Sequence, residues 1–410
     1  MPMQRGERET GMAQTTTDKS THAPPPPRGS LWHNERFRNI FYQVLAVVLI
    51  IALGSFLLSN VLHNLEERSI RTGFDFLERE AGFRIGESLI EYSAESNYGR
   101  AYVVGILNTL RVAFLGIILA TLIGILLGIS RLSPNWLIVQ LATVYIETIR
   151  NIPLLLQLFF WYAVVTGILP PVRQALNLLP GVYLSKSGLM FPAAVPHPVH
   201  PYVMGAVVVG CILAWVVARQ AKRHLERTGQ QRPVLLPALG CIIGLPLVVW
   251  LIGGAPTALD VPTLTRFTFT GGNSITPEFL ALLLGLITYT AAFIAENVRG
   301  GIQAVPWGQT EAASALGLRR STALRLVILP QALRIIIPPT TSQYLNLTKN
   351  SSLAVAIGYP DLVSVTNTSL NQTGQAIECI AIMMAVYLTI SLTISLIMNW
   401  YNNYVALVER

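Results

Sequence analysis

Charge is scarce in this 410-residue chain: Asp, Glu, Lys and Arg make up 12% of it, about half their share in soluble domains. Scarcity on that scale excludes an ordinary soluble protein. Lysine occurs only at Lys19, Lys186, Lys222 and Lys349. None follows a glycine, so the Gly-Lys-Ser/Thr of a nucleotide-binding P-loop is missing and any ATPase must be a separate chain. Cys211, Cys241 and Cys379 fall in apolar stretches without CxxC or His-rich spacing, which argues against a disulfide framework or a zinc site. His197 and His200 stand three apart, but Pro196, Pro198 and Pro201 around them rule out a helical metal pair. Clusters of His, Asp, Ser or Cys at one depth are also wanting, so no catalytic residue, metal or bound cofactor is expected.

What the chain has instead is apolar length. Hydrophobic residues make up 52% of it, in runs long enough to cross a hydrocarbon layer of about 30 Å. Candidate spans lie at 40–60, 104–129, 138–168, 202–218, 234–253, 278–297, 334–358 and 376–400. The expected fold class is an all-α integral membrane protein of about eight transmembrane helices. Pro153 in the third span, and Pro338 with Pro339 in the seventh, predict kinked or broken helices. Residues 1–39, with four consecutive prolines from Pro24, read as a disordered tail, 61–103 as an outer loop and 401–410 as a second tail. The first apolar run begins too late for a secretory signal and reads as a retained helix.

The net charge of +8 reads as membrane topology rather than nucleic-acid binding, because the basic residues sit between apolar runs without an aromatic-basic stripe. Arg219, Lys222, Arg223, Arg227 and Arg232 follow the fourth span, and Arg299, Arg319, Arg320 and Arg325 follow the sixth. Those loops are expected in the cytoplasm. The loops 169–201, 254–277 and 361–375, with only Arg173, Lys186 and Arg266, are expected outside. An even span count then puts both termini in the cytoplasm.

The segment from Ala295 to Pro330 stands out. Gln309 to Leu316 is a helix-forming stretch, Glu311 falls in its expected first turn, and Gly317 is placed to end it in the left-handed conformation. Ala312, Ala313 and Ala315 give it a face of small side chains. Local physics leaves two readings open, an ordinary amphipathic loop helix or a helix that docks in another protein's groove.

Glu311-Ala312-Ala313, Gly317 six residues after the glutamate, and then Leu329-Pro330 resemble the EAA loop of binding-protein-dependent ABC importer permeases. Gly308-Gln309, Arg299-Gly300-Gly301, Asn108-Thr109-Leu110, Arg150-Asn151-Ile152-Pro153 and Lys349-Asn350-Ser351-Ser352 resemble the polar amino-acid group of that family. The resemblance covers about 104–400, with a two-helix insert near 169–277 like that of the larger, broad-specificity L-amino-acid permeases. It implies a type I importer permease core in the inner membrane. By the same resemblance, Gly308, Gln309, Glu311, Ala312, Ala313 and Gly317 form the coupling helix that contacts the ATPase, with Leu329 and Pro330 at the entry to the next span. Its implied partners are a pair of ATP-binding subunits carrying ATP and Mg, a second related permease and a periplasmic amino-acid-binding protein. An ion-coupled secondary transporter is the alternative, but it needs more carboxylates deep in the spans than this sequence has.

Ionisable groups within spans are functional candidates by default. Glu147 and Arg150, three apart before Pro153, either pair with each other, the favoured reading, or meet a substrate's ammonium and carboxylate. Asn151 belongs to the same stretch, and Gln157 either lines that path or bonds between helices. Lys349, Asn350, Ser351 and Ser352 interrupt an apolar run where amides and hydroxyls suit a carboxylate, while a lone lysine can also snorkel to the interface. Glu296 and Arg299, one turn apart, read as a structural brace for the coupling loop.

Overall fold

The computed structural model describes residues 35–67, 72–230, 232–265 and 268–405. Most of the expected N-terminal tail, the last residues of the C-terminal one, and Arg266 lie outside them. Seven helices are long and apolar enough to cross a membrane, and an eighth span is a bent helix pair. Among the described residues, those up to Glu67 form one compact unit and those from Thr72 a second. The first contains α1 (Glu35–Glu67), which begins five residues before the expected boundary at 40.

The core of the second unit is built around α2 (Tyr98–Ser130) and α8 (Pro277–Gln303). Glycine makes their close approach possible. A Cβ on Gly124 would lie 2.7 Å from the Ile294 Cβ, and one on Gly128 would lie 2.7 Å from the Ala295 carbonyl oxygen. Ile294, Ala295 and Val298 are buried against this seam, so a side chain on either glycine would have to push two backbones apart.

The third expected span is broken. α3 (Trp136–Asn151) and α4 (Leu154–Ala163) meet at 107°. Ile152 is forced into extended backbone ahead of Pro153 (ψ 127°) and serves as the C-cap of α3. The fourth and fifth spans form a hairpin of α5 (His200–Thr228) with α6 (Leu235–Leu239) and α7 (Leu245–Ile252), which pack chiefly on each other. Outside the spans, β1 (Leu176–Leu179), β2 (Val182–Ser185), β3 (Gly188–Phe191) and β8 (Asn273–Ile275) make an antiparallel sheet in that order. β4 (Ala193–Ala194) pairs with β5 (Leu259–Asp260), and β6 (Thr263–Leu264) with β7 (Phe269–Thr270). α5 follows β3 after residues 192–199 and α8 follows β8 directly after Thr276, so each of these helices begins a short way beyond the sheet.

After α8 come α9 (Trp307–Ala315), α10 (Arg320–Ala323), a π-helical turn (Leu324–Ile328) and α11 (Leu329–Asn350). The π turn contains Leu326, whose carbonyl would clash with the ring of Pro330 in a regular α-helix. Gly240–Gly244 is a second π turn, placed the same way before Pro246. Pro338 and Pro339 do not break their helix: α11 is continuous through both. Each proline's own φ is helical, and in a spanning helix the few missing bonds are tolerated. The change of conformation comes later, in a 3-10 segment (Ser351–Ile357) closed by Gly358 in the left-handed region (φ +79°). α12 (Leu362–Thr373) then occupies a stretch expected to be loop, and α13 (Ala376–Val405) completes the chain.

Candidate functional site

α9 stands between the last turn of α8 and the continuous helix that begins at α10. It starts at Trp307, two residues earlier than expected, because Pro306 pre-sets the entry with φ −56° and ψ 134°. Glu311 therefore lies in the second turn, too far along to bond the free amides of the first, and the expectation of a first-turn carboxylate is corrected. The other end matches the sequence reading. Gly317 has φ +70°; its amide donates to the Ser314 carbonyl at 2.9 Å, and the Leu318 amide donates to the Ala313 carbonyl at 3.1 Å. That pair of bonds is a Schellman cap, in which Gly317 holds the left-handed position.

The cap also sorts the helix faces. Ala313 is buried (3% exposed) beneath Leu318, whereas Trp307 and Leu316 are 73% and 79% exposed. Glu311, Ala312 and Ala315 are exposed as well. The outward surface of α9 is thus small side chains and one carboxylate between two large apolar groups. Gln309 ties the helix down, accepting a hydrogen bond from Gln331 at 3.2 Å, while the same Gln331 nitrogen also donates to the Val327 carbonyl at 3.0 Å. Gly308 has open space around it. Leu329 and Pro330 are the first two residues of α11, directly after the π turn of a helical run that begins at Arg320.

At the end of the helices nearest α9, a charged cluster joins three elements. Arg131, the C-cap residue of α2, donates to Glu296 of α8 at 2.7 Å and lies 3.6 Å from Glu147 of α3. Arg299 donates to the same Glu296 through Nε at 3.0 Å and also reaches Gln303. Glu147 and Arg150 do not pair with each other, so the favoured sequence reading is corrected. Arg150 instead stacks over Phe293, its guanidinium 5.2 Å from the ring centroid, and Glu147 is claimed by Arg131. Arg131 had no signal in the sequence beyond being the first charge after a long apolar run.

Gln157 is buried (4% exposed) and donates from Nε2 to the carbonyls of Ile149 and Ile152, each at 2.9 Å. It caps the last turn of α3 across the elbow, satisfying carbonyls that the break at Pro153 would orphan. Asn151 donates to the Glu147 carbonyl at 2.8 Å. The hydroxyls of Ser351 and Ser352 are turned back on their own chain, to the carbonyls of Thr348 and Lys349 at 2.8 and 2.7 Å. Lys349 is exposed and Asn350 half-exposed.

The opposite end of α2 is fastened too. Arg111 pairs with Glu87 while its guanidinium lies 4.3 Å over the Phe279 ring of α8, and Thr276, the N-cap residue of α8, donates to the same glutamate. Asn108 donates to the carbonyls of Glu87 and Pro360, each at 2.8 Å, and Thr109 accepts from the Leu362 amide at 3.1 Å. Asp361, fully buried, caps α12 by accepting from the Ser364 amide at 2.9 Å. Burial pushes its carboxyl up to about 7 even though backbone amides favour the charged form.

Residues 120–407 match the model of a family described as the binding-protein-dependent transport system inner membrane component. The chain belongs to that family. It is 51% identical to the general L-amino acid transport system permease protein AapQ of Rhizobium johnstonii, over 93% of this chain and 95% of that one. It is 50% identical to the putative amino-acid ABC transporter permease protein YhdX of Escherichia coli, over 95% of this permease and 100% of that protein. Identity to the glutamate/glutamine/aspartate/asparagine transport system permease protein BztB of Rhodobacter capsulatus is 42%, over 95% of the permease and 99% of the relative. The likeness to these full-length relatives includes the inserted hairpin region.

Proposed function

We propose that this permease carries L-amino acids inward across the bacterial inner membrane by alternating access, driven by a separate pair of ATP-binding subunits that grip α9. The observation that carries the reading is α9 itself, a nine-residue helix with a Schellman cap at Gly317 and an exposed face of Glu311, Ala312, Trp307 and Leu316. A short rigid helix of that shape transmits force only if something holds it, and its outward face offers close backbone approach. The amino-acid cargo is supported by the three relatives, whose names specify L-amino acids, amino acids and acidic or amide amino acids.

In this reading ATP and Mg sit on the partner ATPase, a binding protein delivers the amino acid, a second related permease completes the pathway, and both termini face the cytoplasm. Glu296, Arg299 and Arg131 brace the end of α8 from which α9 is levered. Among the path candidates, Glu147, Asn151, Gln157, Ser351 and Ser352 already have polar partners in the fold. Arg150, which has a ring contact but no ion pair among the described residues, and Lys349 and Asn350 therefore remain the ones available to a substrate.

The test is affinity purification of the tagged chain from its native membrane in mild detergent, followed by mass spectrometry and ATPase assay. Co-recovery of an ATP-binding subunit whose hydrolysis rises with amino-acid-loaded binding protein is the expected result. Recovery of the chain alone, with uptake that collapses when the proton gradient is dissipated, would overturn the reading. Gly317→Asp is expected to abolish transport at normal membrane levels, since it places a Cβ at φ +70° and a charge beside the gripped face.

A further inference from the structure

α5 is longer than its apolar part. Residues 200–218 carry no Asp, Glu, Lys or Arg, and at about 1.5 Å per residue they rise about 28 Å, close to the thickness of a hydrocarbon layer. The helix then continues to Thr228. The basic residues expected in a loop therefore stand on an ordered helix, and they are spaced in register. Arg219, Arg223 and Arg227 follow one another at intervals of four, which puts them on one face. Trp215 continues the line inward, with the Arg219 guanidinium 5.1 Å over its ring, and Ile212, Val208 and Met204 carry it on through the apolar part. All seven side chains are exposed.

Two further observations bear on what covers this stripe. The hairpin packs chiefly on itself, so the stripe faces away from the protein core. Among the described residues, no carboxylate pairs with Arg219, Arg223 or Arg227. A surface that is aliphatic over the hydrocarbon depth, then indole, then a ladder of guanidinium groups repeats the order of acyl chain, glycerol region and phosphate in a lipid. Basic residues collect after α5 and after α8 alike, which by the positive-inside rule puts the arginine end of α5 on the same side as α9.

We propose that this face of α5 binds an anionic phospholipid from the leaflet on the α9 side, its acyl chain along Met204 to Ile212 and its phosphate between Arg219 and Arg223. The inserted hairpin then holds the permease to charged lipid. Depth sets a ranking. Arg219 follows the apolar stretch directly, Arg223 lies about 6 Å further out and Arg227 about 12 Å, beyond the Debye length of about 8 Å at physiological salt.

Cys211 is exposed one turn before Trp215, which supplies a local probe. The full chain with Cys241→Ala is labelled on Cys211 with bimane and reconstituted in phosphatidylcholine. It is then titrated with brominated phosphatidylglycerol or, separately, with brominated phosphatidylcholine. Quenching is expected to favour phosphatidylglycerol, with each of Arg219→Gln and Arg223→Gln lowering that preference about fivefold, the worth of one basic residue at an anionic surface. Arg227→Gln should lower it less, and Arg219→Lys with Arg223→Lys should keep most of it. Equal quenching by both lipids, an unchanged preference in the Arg219→Gln/Arg223→Gln double variant, or Arg227 dominating would overturn the proposal. So would displacement by inorganic phosphate beyond that by chloride of matched ionic strength, which would mark a free-anion site.

Discussion

The α2–α8 pair, whose helices run parallel, and the antiparallel α5–α7 hairpin are both assemblies of apolar helices, yet they are held by opposite means. α2 and α8 meet backbone to backbone through Gly124 and Gly128, and they are fastened at both ends, by Arg111 with Glu87 and Thr276 at one and by Arg131 with Glu296 at the other. The hairpin has close approaches of its own, at Gly210, where a Cβ would lie 2.2 Å from the Cys241 carbonyl oxygen, and at Gly253, where one would lie 2.0 Å from Val199 Cγ2. Its outer faces are otherwise open. The difference is a division of labour: the pair that leads into α9 is stiffened by contacts within the protein, whereas the inserted hairpin packs chiefly on itself.

The comparison breaks most severely at the glycine seam. Gly128→Leu forces a side chain against the Ala295 backbone and the Val298 Cβ, at 2.7 and 2.8 Å, and neither can be relieved by rotating a flexible side-chain end. Overpacking of that kind should cost about 3 kcal/mol or more. The expected outcome is loss of the monodisperse permease peak on size exclusion. Gly205→Leu on α5, where nothing lies within 4 Å, should leave the peak unchanged; equal damage from both would refute the contrast.

A second effect lies at the outer end of the fastened region. Asp361 binds its proton more tightly when folded, at about 7 against 3.8 for the unfolded chain. The folded state therefore gains stability as pH falls through 7, keeps the gain in full below about 4, and loses it as pH rises again. About 4 kcal/mol is the upper bound for the whole change, at about 1.4 kcal/mol per pH unit. Asp361→Asn keeps a cap oxygen and should flatten the thermal midpoint between pH 5 and 8, raising it at the alkaline end. A variant with the wild-type slope would assign the titration to another group.

These sites show where the sequence speaks and where it stays silent. The spans, the elbow at Pro153 and the cap at Gly317 were legible because each is written in adjacent residues: apolar length, a proline, a glycine after a helix-forming run. Pro338 and Pro339 misled, because a proline announces a missing bond but not whether the surrounding helix tolerates it. Arg131 as the partner of Glu147 and Glu296 was not legible at all, since 16 and 165 positions separate the pairs and only the folded bundle brings them together. The strands of the sheet, three or four residues long, are too short for alternation to register.

A smaller effect is expected at that inner cluster. Arg131→Ala removes one of the two guanidinium groups on Glu296, leaving Arg299 in place. The cluster is part-exposed, with side-chain exposures of 15% and 25% for Arg131 and Glu296, so the cost is discounted to about 1 kcal/mol. A modest fall in thermal midpoint is expected, with amino-acid-stimulated ATP hydrolysis falling by more than the stability change explains, because the brace beside α9 is loosened. A loss of stability without that excess would make the cluster structural only.

The smallest effect should follow the largest excision. β4 and β5 bring the two ends of the hairpin together, Ala194 pairing with Leu259 and the Val195 amide donating to the Ala258 carbonyl at 3.1 Å. Removing residues 197–256 and joining the ends through Asn-Gly replaces two spanning helices with a tight β-turn between strands that are already paired. If the hairpin rests on lipid rather than on the core, the shortened permease should keep the wild-type thermal midpoint within about 2 °C, a shift worth about half a kcal/mol or less, while its preference for anionic lipid falls. A large drop in midpoint would mean that the hairpin supports α2 and α8 after all, and that the two regions share a single cooperative core.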